Sequence, residues 1–292
     1  MTKLTILDGG MGGELKARGM MNGTGLWSAQ VLRDDPEAVA GVHRDFIMAG
    51  AQVIITNSYS TIPSYMAKAG LENEYLEYTV EAGNIARRVA DEFPTGVLVA
   101  GSLPPLDESY RFDLVPGDEV AGPIYQSIVE ALNPYVDLFI CETMSCAREA
   151  RNAATQGSLH GHGKPVWVSW TLHEKPGEGL RSGESVEDAF AAVRDIDPSA
   201  YLFNCSTPES ITSALQTLRM LTDKPVGVYP NLLQIPAGWT LDNELQAGQR
   251  EMEIEDFLMF AQEWRALGAS IIGGCCGIGP KYIEALAQTV EA

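Results

Sequence analysis

The feature that most constrains this chain is a repeated alternation of short apolar runs and amphipathic segments. Eight runs rich in Val, Ile, Leu and Phe recur: Leu4–Asp8, Val53–Tyr59, Gly96–Leu103, Val136–Thr143, Pro165–Leu172, Ala200–Ser206, Lys224–Asn231 and Ser270–Gly277. They are nearly continuous in apolar character rather than alternating, as expected of parallel strands buried on both faces. Helical spacing fills the intervals at Pro36–Ala49, Asn73–Phe93, Ile124–Tyr135, Ala147–Leu159, Ser185–Ile196, Pro208–Leu221, Ile254–Leu267 and Pro280–Val290. Thr207-Pro208 supplies an N-cap followed by proline at the first helical position. Eight β-then-α units in 292 residues predict an α/β fold, a single (β/α)8 TIM barrel over residues 1–292. A doubly wound open sheet is the alternative.

Composition narrows the partners. With 20 Lys+Arg against 39 Asp+Glu the formal net charge is −19, which excludes a phosphate-backbone partner and adsorption to an anionic membrane. No stretch approaches the roughly 20 apolar residues of a membrane span, and the N-terminus lacks the pattern of a signal peptide. Five cysteines, an odd number at low density, suit a cytoplasmic protein better than a disulfide scaffold.

Three connections are long, Gly9–Asp35, Pro104–Pro123 and Leu232–Glu253, and each follows the end of a predicted strand. In a barrel that is the face on which active sites are built. The strand ends there carry Asp8-Gly9-Gly10, Asn57-Ser58-Tyr59, Glu142-Thr143, Asn204-Cys205-Ser206, Tyr229-Pro230-Asn231 and Gly273-Gly274-Cys275-Cys276-Gly277. Cys205, Cys275 and Cys276 therefore converge from strands six and eight. Three thiolates with an open fourth position are the ligand set of a catalytic zinc site. The flanking glycines allow the backbone turns that bring neighbouring sulfurs to one side. The alternative is that these are small buried hydrophobes, as free cysteines often are. Cys141 is expected to pack inside strand four. Cys146 opens the next helix, where a low-pKa thiol is an option. His160 and His162 lie on the opposite face, and His173 ends strand five. Asp8 and Glu142 are candidate acid–base groups or holders of a cation.

These residues resemble a known family. DGGMGGEL at Asp8–Leu15, LWSAQVL at Leu26–Leu32, AGAQVIITNSY at Ala49–Tyr59, FNCS at Phe203–Ser206, YPN at Tyr229–Asn231 and GGCCGIGP at Gly273–Pro280 are similar to the homocysteine S-methyltransferases. The resemblance covers essentially the whole chain. It implies a barrel binding Zn2+ through Cys205, Cys275 and Cys276, with the homocysteine sulfur in the fourth position and methionine as product. It implies that Asp8 and Glu142 hold the substrate ammonium, that Gly9 and Ser58 add polar contacts, and that Asn204 orients the site. The family's methyl donors include S-methylmethionine, S-adenosylmethionine, betaine and, in larger proteins, methyltetrahydrofolate. The LWSA stretch is most similar to the S-methylmethionine-using branch. Trp27 is a candidate to stack on a cationic donor, with Tyr110 and Trp239 in the other long loops beside it. Gly101–Pro105 and Leu232–Glu253 depart from the family pattern on that donor side. The rival readings are a betaine- or other sulfonium-dependent enzyme on the same barrel, and a non-catalytic zinc-binding or redox-sensing barrel.

Overall fold

In a computed structural model of the protein, which describes residues 3–21, 26–240 and 247–291, all eight apolar runs contribute to one parallel sheet. Its strands are β1 (Thr5–Ile6), β2 (Val53–Ile55), β3 (Leu98–Leu103), β4 (Leu138–Met144), β5 (Val166–Trp170), β6 (Ala200–Asn204) and β7 (Val226–Tyr229). A small antiparallel ribbon, β8 (Leu233–Gln234) with β9 (Gly248–Gln249), follows before the last barrel strand, β10 (Ala269–Ile272). The sheet runs β1-β10-β7-β6-β5-β4-β3-β2. A parallel bridge between Leu7 and Val53 joins its two ends. There the Asp8 N–H donates to the Val53 carbonyl at 3.0 Å and the Gln52 N–H to that of Ile6 at 2.8 Å. The fold is the (β/α)8 barrel expected, not the open sheet.

The strands are shorter than the apolar runs because the last residues of several runs leave the sheet. Asn57–Tyr59, Cys205–Ser206 and Pro230–Asn231 lie beyond the ladder, and these are the residues that face the barrel mouth.

Two apolar layers follow from the strand period of two. Val53, Ala100, Leu138, Ile140, Ala200, Leu202, Tyr229 and Ile271 form the inner cluster. Their alternates Phe139, Cys141, Tyr201 and Phe203 belong to the outer cluster under the helices. Continuing the inner parity up β3, β4 and β6 reaches Ser102, Glu142 and Asn204, so polar groups begin where the apolar filling stops. The same parity puts Cys141 outside, where it packs as expected.

The helices form as their signals specify. Asp35 caps Pro36–Met48 by accepting from the Ala38 N–H at 3.1 Å, and Thr207 caps Pro208–Leu221 through the Ser210 N–H at 3.4 Å. One helix starts earlier than its spacing suggests, at Asp118 rather than Ile124, with Pro123 inside it. Asp118 and Glu119 in its first turn favour that start, since carboxylates stabilise a helix N-terminus. The first long loop adds helices Met11–Ala17 and Ala29–Asp34, and the third strand's loop a 3-10 turn at Phe112–Leu114. Residues 22–25 and 241–246 of the first and last long loops lie outside the described residues. Among the described residues no helix is long and apolar enough to cross a membrane.

The inner layer tolerates no added volume at Gly227 of β7. A methyl group there would stand 2.6 Å from the Ile271 Cβ and 2.8 Å from its carbonyl oxygen. Overpacking of this kind costs about 1–3 kcal/mol. Gly227→Ala is expected to lower the thermal unfolding midpoint by roughly 2–10 °C. An unchanged midpoint would contradict the packing described.

Candidate active site and metal centre

The ends of β6, β7 and β10 are laced together by backbone hydrogen bonds that fix the cysteines. The Cys205 N–H donates to the Tyr229 carbonyl at 3.2 Å, the Cys275 N–H to that of Pro230 at 2.8 Å, and the Leu232 N–H to that of Cys276 at 2.8 Å. The Gly274 N–H reaches the Asp8 carbonyl at 2.9 Å, tying the cysteine turn to the first strand. Gly9 allows that closeness: a Cβ on it would lie 2.2 Å from the Ile278 carbonyl oxygen. Only a residue without a side chain fits.

Backbone strain collects around the same mouth. Among the described residues other than glycine, those with positive φ include Cys205 (46°), Thr143 (60°), Tyr110 (67°) and Trp27 (49°). Non-glycine residues enter this region at a cost and do so mainly where surrounding structure and function hold them there.

The three predicted sulfurs meet. The ligand atoms of Cys205, Cys275 and Cys276 all lie within 4.8 Å of one another. Cys205 and Cys275 are joined by a disulfide, and Cys276 is a free thiol. This corrects the expectation that five cysteines imply no disulfide. The barrel brings together two residues 70 apart in sequence. A disulfide and a metal cannot share the same two sulfurs, so any cation belongs to the reduced protein.

The chemistry of the reduced set fits a soft divalent cation. Thiolates bind zinc at about 2.3 Å, which places tetrahedral sulfurs some ~3.8 Å apart, within the span observed. Burial pushes the Cys276 thiol up to about 11, so a charged partner is needed to hold it as thiolate. The other two cysteines are bystanders. Burial raises Cys141 far above the usual thiol range and Cys146 to about 11, which removes the option of a reactive thiol at that helix start.

Asp8 and Glu142 are buried side groups of the same mouth. Burial raises the Asp8 carboxyl well above its ordinary range, against the Ile55 N–H it accepts at 2.8 Å, and the Glu142 charge raises it further. Burial likewise lifts Glu142 to about 7, opposed by the Ser102 hydroxyl that donates to it. Two carboxyls that oppose each other's ionisation in a dry site are suited to a cation between them. Ser58 belongs to this network: its hydroxyl lies 2.8 Å from that of Thr56, which accepts from the Ser102 N–H at 3.0 Å.

Asn204 makes three hydrogen bonds through its buried side-chain amide. Its Oδ1 accepts from the Thr143 N–H at 2.8 Å and the Ser169 hydroxyl at 2.7 Å, and its Nδ2 donates to the Thr143 hydroxyl at 2.8 Å. The aromatic candidates form two edge-to-face pairs, Trp27 with Tyr59 at 6.2 Å and Tyr110 with Trp239 at 5.9 Å. His173 is exposed and accepts from the Lys175 N–H at 3.1 Å, and His160 lies 3.6 Å from Glu130.

Sequence reasoning assigned no role to Ser102, Thr143, Tyr59 or Asn231. The two-residue period beyond Ala100 would have found Ser102. Asn231 carries a buried amide with neither Nδ2 nor Oδ1 partnered, which no spacing reveals.

Comparison with known proteins agrees with this geometry. The family described as Homocysteine S-methyltransferase matches residues 5–290. A homocysteine S-methyltransferase of Escherichia coli is 34% identical over 97% of this chain and 94% of its own. Homocysteine S-methyltransferase 4 of Zea mays is 32% identical over 98% of this chain and 89% of its own. The crystal structure of the E. coli homocysteine methyltransferase MmuM in its metallated form superimposes with a TM-score of 0.82. It is 32% identical and covers 98% of this chain and 96% of its own. Its oxidised form gives 0.83 over the same shares.

The raised Glu142 carboxyl has a definite sign. Its stabilising contribution is complete below about pH 4.5 and is lost as pH rises through about 7, a change on the order of 3 kcal/mol. Glu142→Gln is therefore expected to flatten the fall in stability of the ligand-free protein between pH 5 and 8. Homocysteine should raise the unfolding midpoint of the wild type and not of the variant. Parallel pH–stability curves for the two proteins would refute the assignment.

Proposed function

The chain belongs to the homocysteine S-methyltransferase family and is an enzyme of methyl transfer to homocysteine; we propose that its donor is S-methylmethionine and that Cys205, Cys275 and Cys276 hold a zinc ion beside the acceptor thiol. The observation that carries the zinc reading is the meeting of these three sulfurs at the barrel mouth. When bound, zinc supplies Lewis acidity that lowers the acceptor thiol's pKa, so that sulfur reacts as a thiolate near neutral pH.

The chain's own residues supply binding and alignment. Asp8 and Glu142 pair with the homocysteine ammonium, which relieves the mutual opposition of their charges. Ser102 fixes Glu142, and Gly9 and Ser58 line the same end of the pocket. Asn204 holds Thr143 and hence the turn that follows Glu142. The aromatic pairs Trp27–Tyr59 and Tyr110–Trp239 offer π faces to a cationic donor. As the methyl moves, the donor's S–CH3 bond breaks with its electron pair left on the donor sulfur, and the acceptor's pair forms the new bond. Positive and negative charge cancel in this step, which a dry site favours over water because neither charge survives it. The methyl donor's positive charge also suits the acidic surface, net −19 overall. Residues 1–292 are read as one homocysteine-binding domain working in the cytoplasm on small molecules, without nucleic acid or membrane.

Two experiments test this. Reduced protein loaded with zinc is expected to lose the metal in Cys276→Ala while its far-ultraviolet circular dichroism stays unchanged. Metal retained at full occupancy in that variant would remove Cys276 from the ligand set. Offered S-methylmethionine, S-adenosylmethionine and betaine separately, the enzyme should consume S-methylmethionine fastest and yield two methionines per turnover. Faster turnover of betaine, with dimethylglycine formed, would replace the donor reading with the betaine one.

A further inference from the structure

The loop that follows β5 places a buried cation at this otherwise acidic mouth. Leu172 and Leu180 form an antiparallel bridge, the Arg181 N–H donates to the Thr171 carbonyl at 3.3 Å, and the Ser182 N–H to that of Ser145 at 3.1 Å. The loop is thus pinned over the ends of β4 and β5. The Thr171 hydroxyl in turn donates to the Cys205 carbonyl at 3.1 Å, so Arg181 is one residue removed from the cysteine cluster.

The side chain of Arg181 is only 9% exposed. Its Nη2 donates to Glu174 at 2.7 Å, and Glu174 also accepts from the Ile235 N–H at 3.2 Å, which holds the loops after β5 and β7 together. The guanidinium lies 4.9 Å from the centre of the Tyr110 ring, and the Tyr110 hydroxyl lies within electrostatic reach of both Arg181 and Cys276. The Arg181 Nε is buried with no hydrogen-bond partner. A guanidinium offers five N–H donors in a rigid fork matched to a carboxylate. Leaving one of them buried and unpaired is unfavourable unless a ligand completes it.

We propose that Arg181 binds the carboxylate of the methyl donor and so makes the enzyme selective for amino-acid donors over methyl cations lacking that group. This assignment rests on the donor being a carboxylate-bearing cation, as S-methylmethionine is. Asp8 and Glu142 take the ammonium of the acceptor at one side of the cysteines. Arg181, against the Tyr110 ring, takes the acid group of the donor. The Glu174 contact and the Tyr110 ring hold the fork in place before the donor arrives, which reduces the ordering cost of binding.

The test compares S-methylmethionine with its carboxamide, in which a neutral amide replaces the carboxylate, as donors for the reduced, zinc-loaded enzyme. The wild type should prefer the acid by about 10- to 100-fold in kcat/KM, the worth of one charge-assisted pair. Arg181→Met should bring the two donors to near parity by slowing the acid alone, with KM for homocysteine unchanged. Arg181→Lys should keep part of the preference, and it carries the test if the Met variant does not fold. Equal losses with both donors would make Arg181 a structural residue, and a raised KM for homocysteine would assign it to the acceptor; either result overturns the proposal. If the wild type ignores S-methylmethionine but uses betaine, the donor reading fails separately. The same acid–amide comparison made with betaine then decides the role of Arg181.

Discussion

A closed ring of parallel strands has both faces covered, and that constraint shapes everything else in this protein. The inner face is filled by small and branched side chains such as Ala100, Leu202 and Ile271, and the outer face by the helices. Polar chemistry is therefore excluded from the strands and appears only where they end. The Leu7–Val53 bridge matters for this reason. By closing the ring it sets Asp8 against β2, while the pairing of β1 with β10 sets the same residue against the cysteine turn at Gly273–Gly277.

The mouth so formed is dry and rich in groups that carry negative charge when ionised. Asp8 and Glu142 are lifted by burial, and Cys276 is lifted for the same cause. Each group alone would prefer to stay protonated, and together they create a demand for positive charge. In the proposed function a metal cation, a substrate ammonium and a cationic methyl donor meet that demand. Cys205 and Cys275 are joined by a disulfide beside the free thiol of Cys276, so the proposed metal site requires these two sulfurs reduced.

How much of this was legible in the sequence varies with the kind of information. Pro208–Leu221 has the same bounds in the structure as in its pattern, because cap and periodicity are local signals. The helix from Asp118 begins before its apolar spacing does, because its first turn is marked by acids rather than by apolar residues. Cys275 and Cys276 stand out because glycine-flanked cysteines at a strand end are poor core residues, and Cys205 because it ends a strand on the same face. Ser102 and Asn231 did not stand out, since serine in a strand and asparagine in a loop are ordinary residues until a neighbour is known. The pairing of Cys205 with Cys275 was equally hidden: it depends on β6 and β10 flanking β7 in the barrel.

The sequence by itself determined the barrel, the face on which its strand-end polar residues lie and the residues proposed to bind a metal and an amino acid. These rest on apolar periodicity, turn residues and residue type, all of which are properties of short stretches of chain. Only the tertiary structure decided which of those residues meet and what state they are in. Ring closure sets the distances between strand ends, and the depth of burial sets the protonation of Asp8, Glu142 and Cys276. The docking of one loop on another leaves the Arg181 fork half satisfied beside Tyr110. Distances and desolvation are properties of the assembled whole, so no window of sequence contains them.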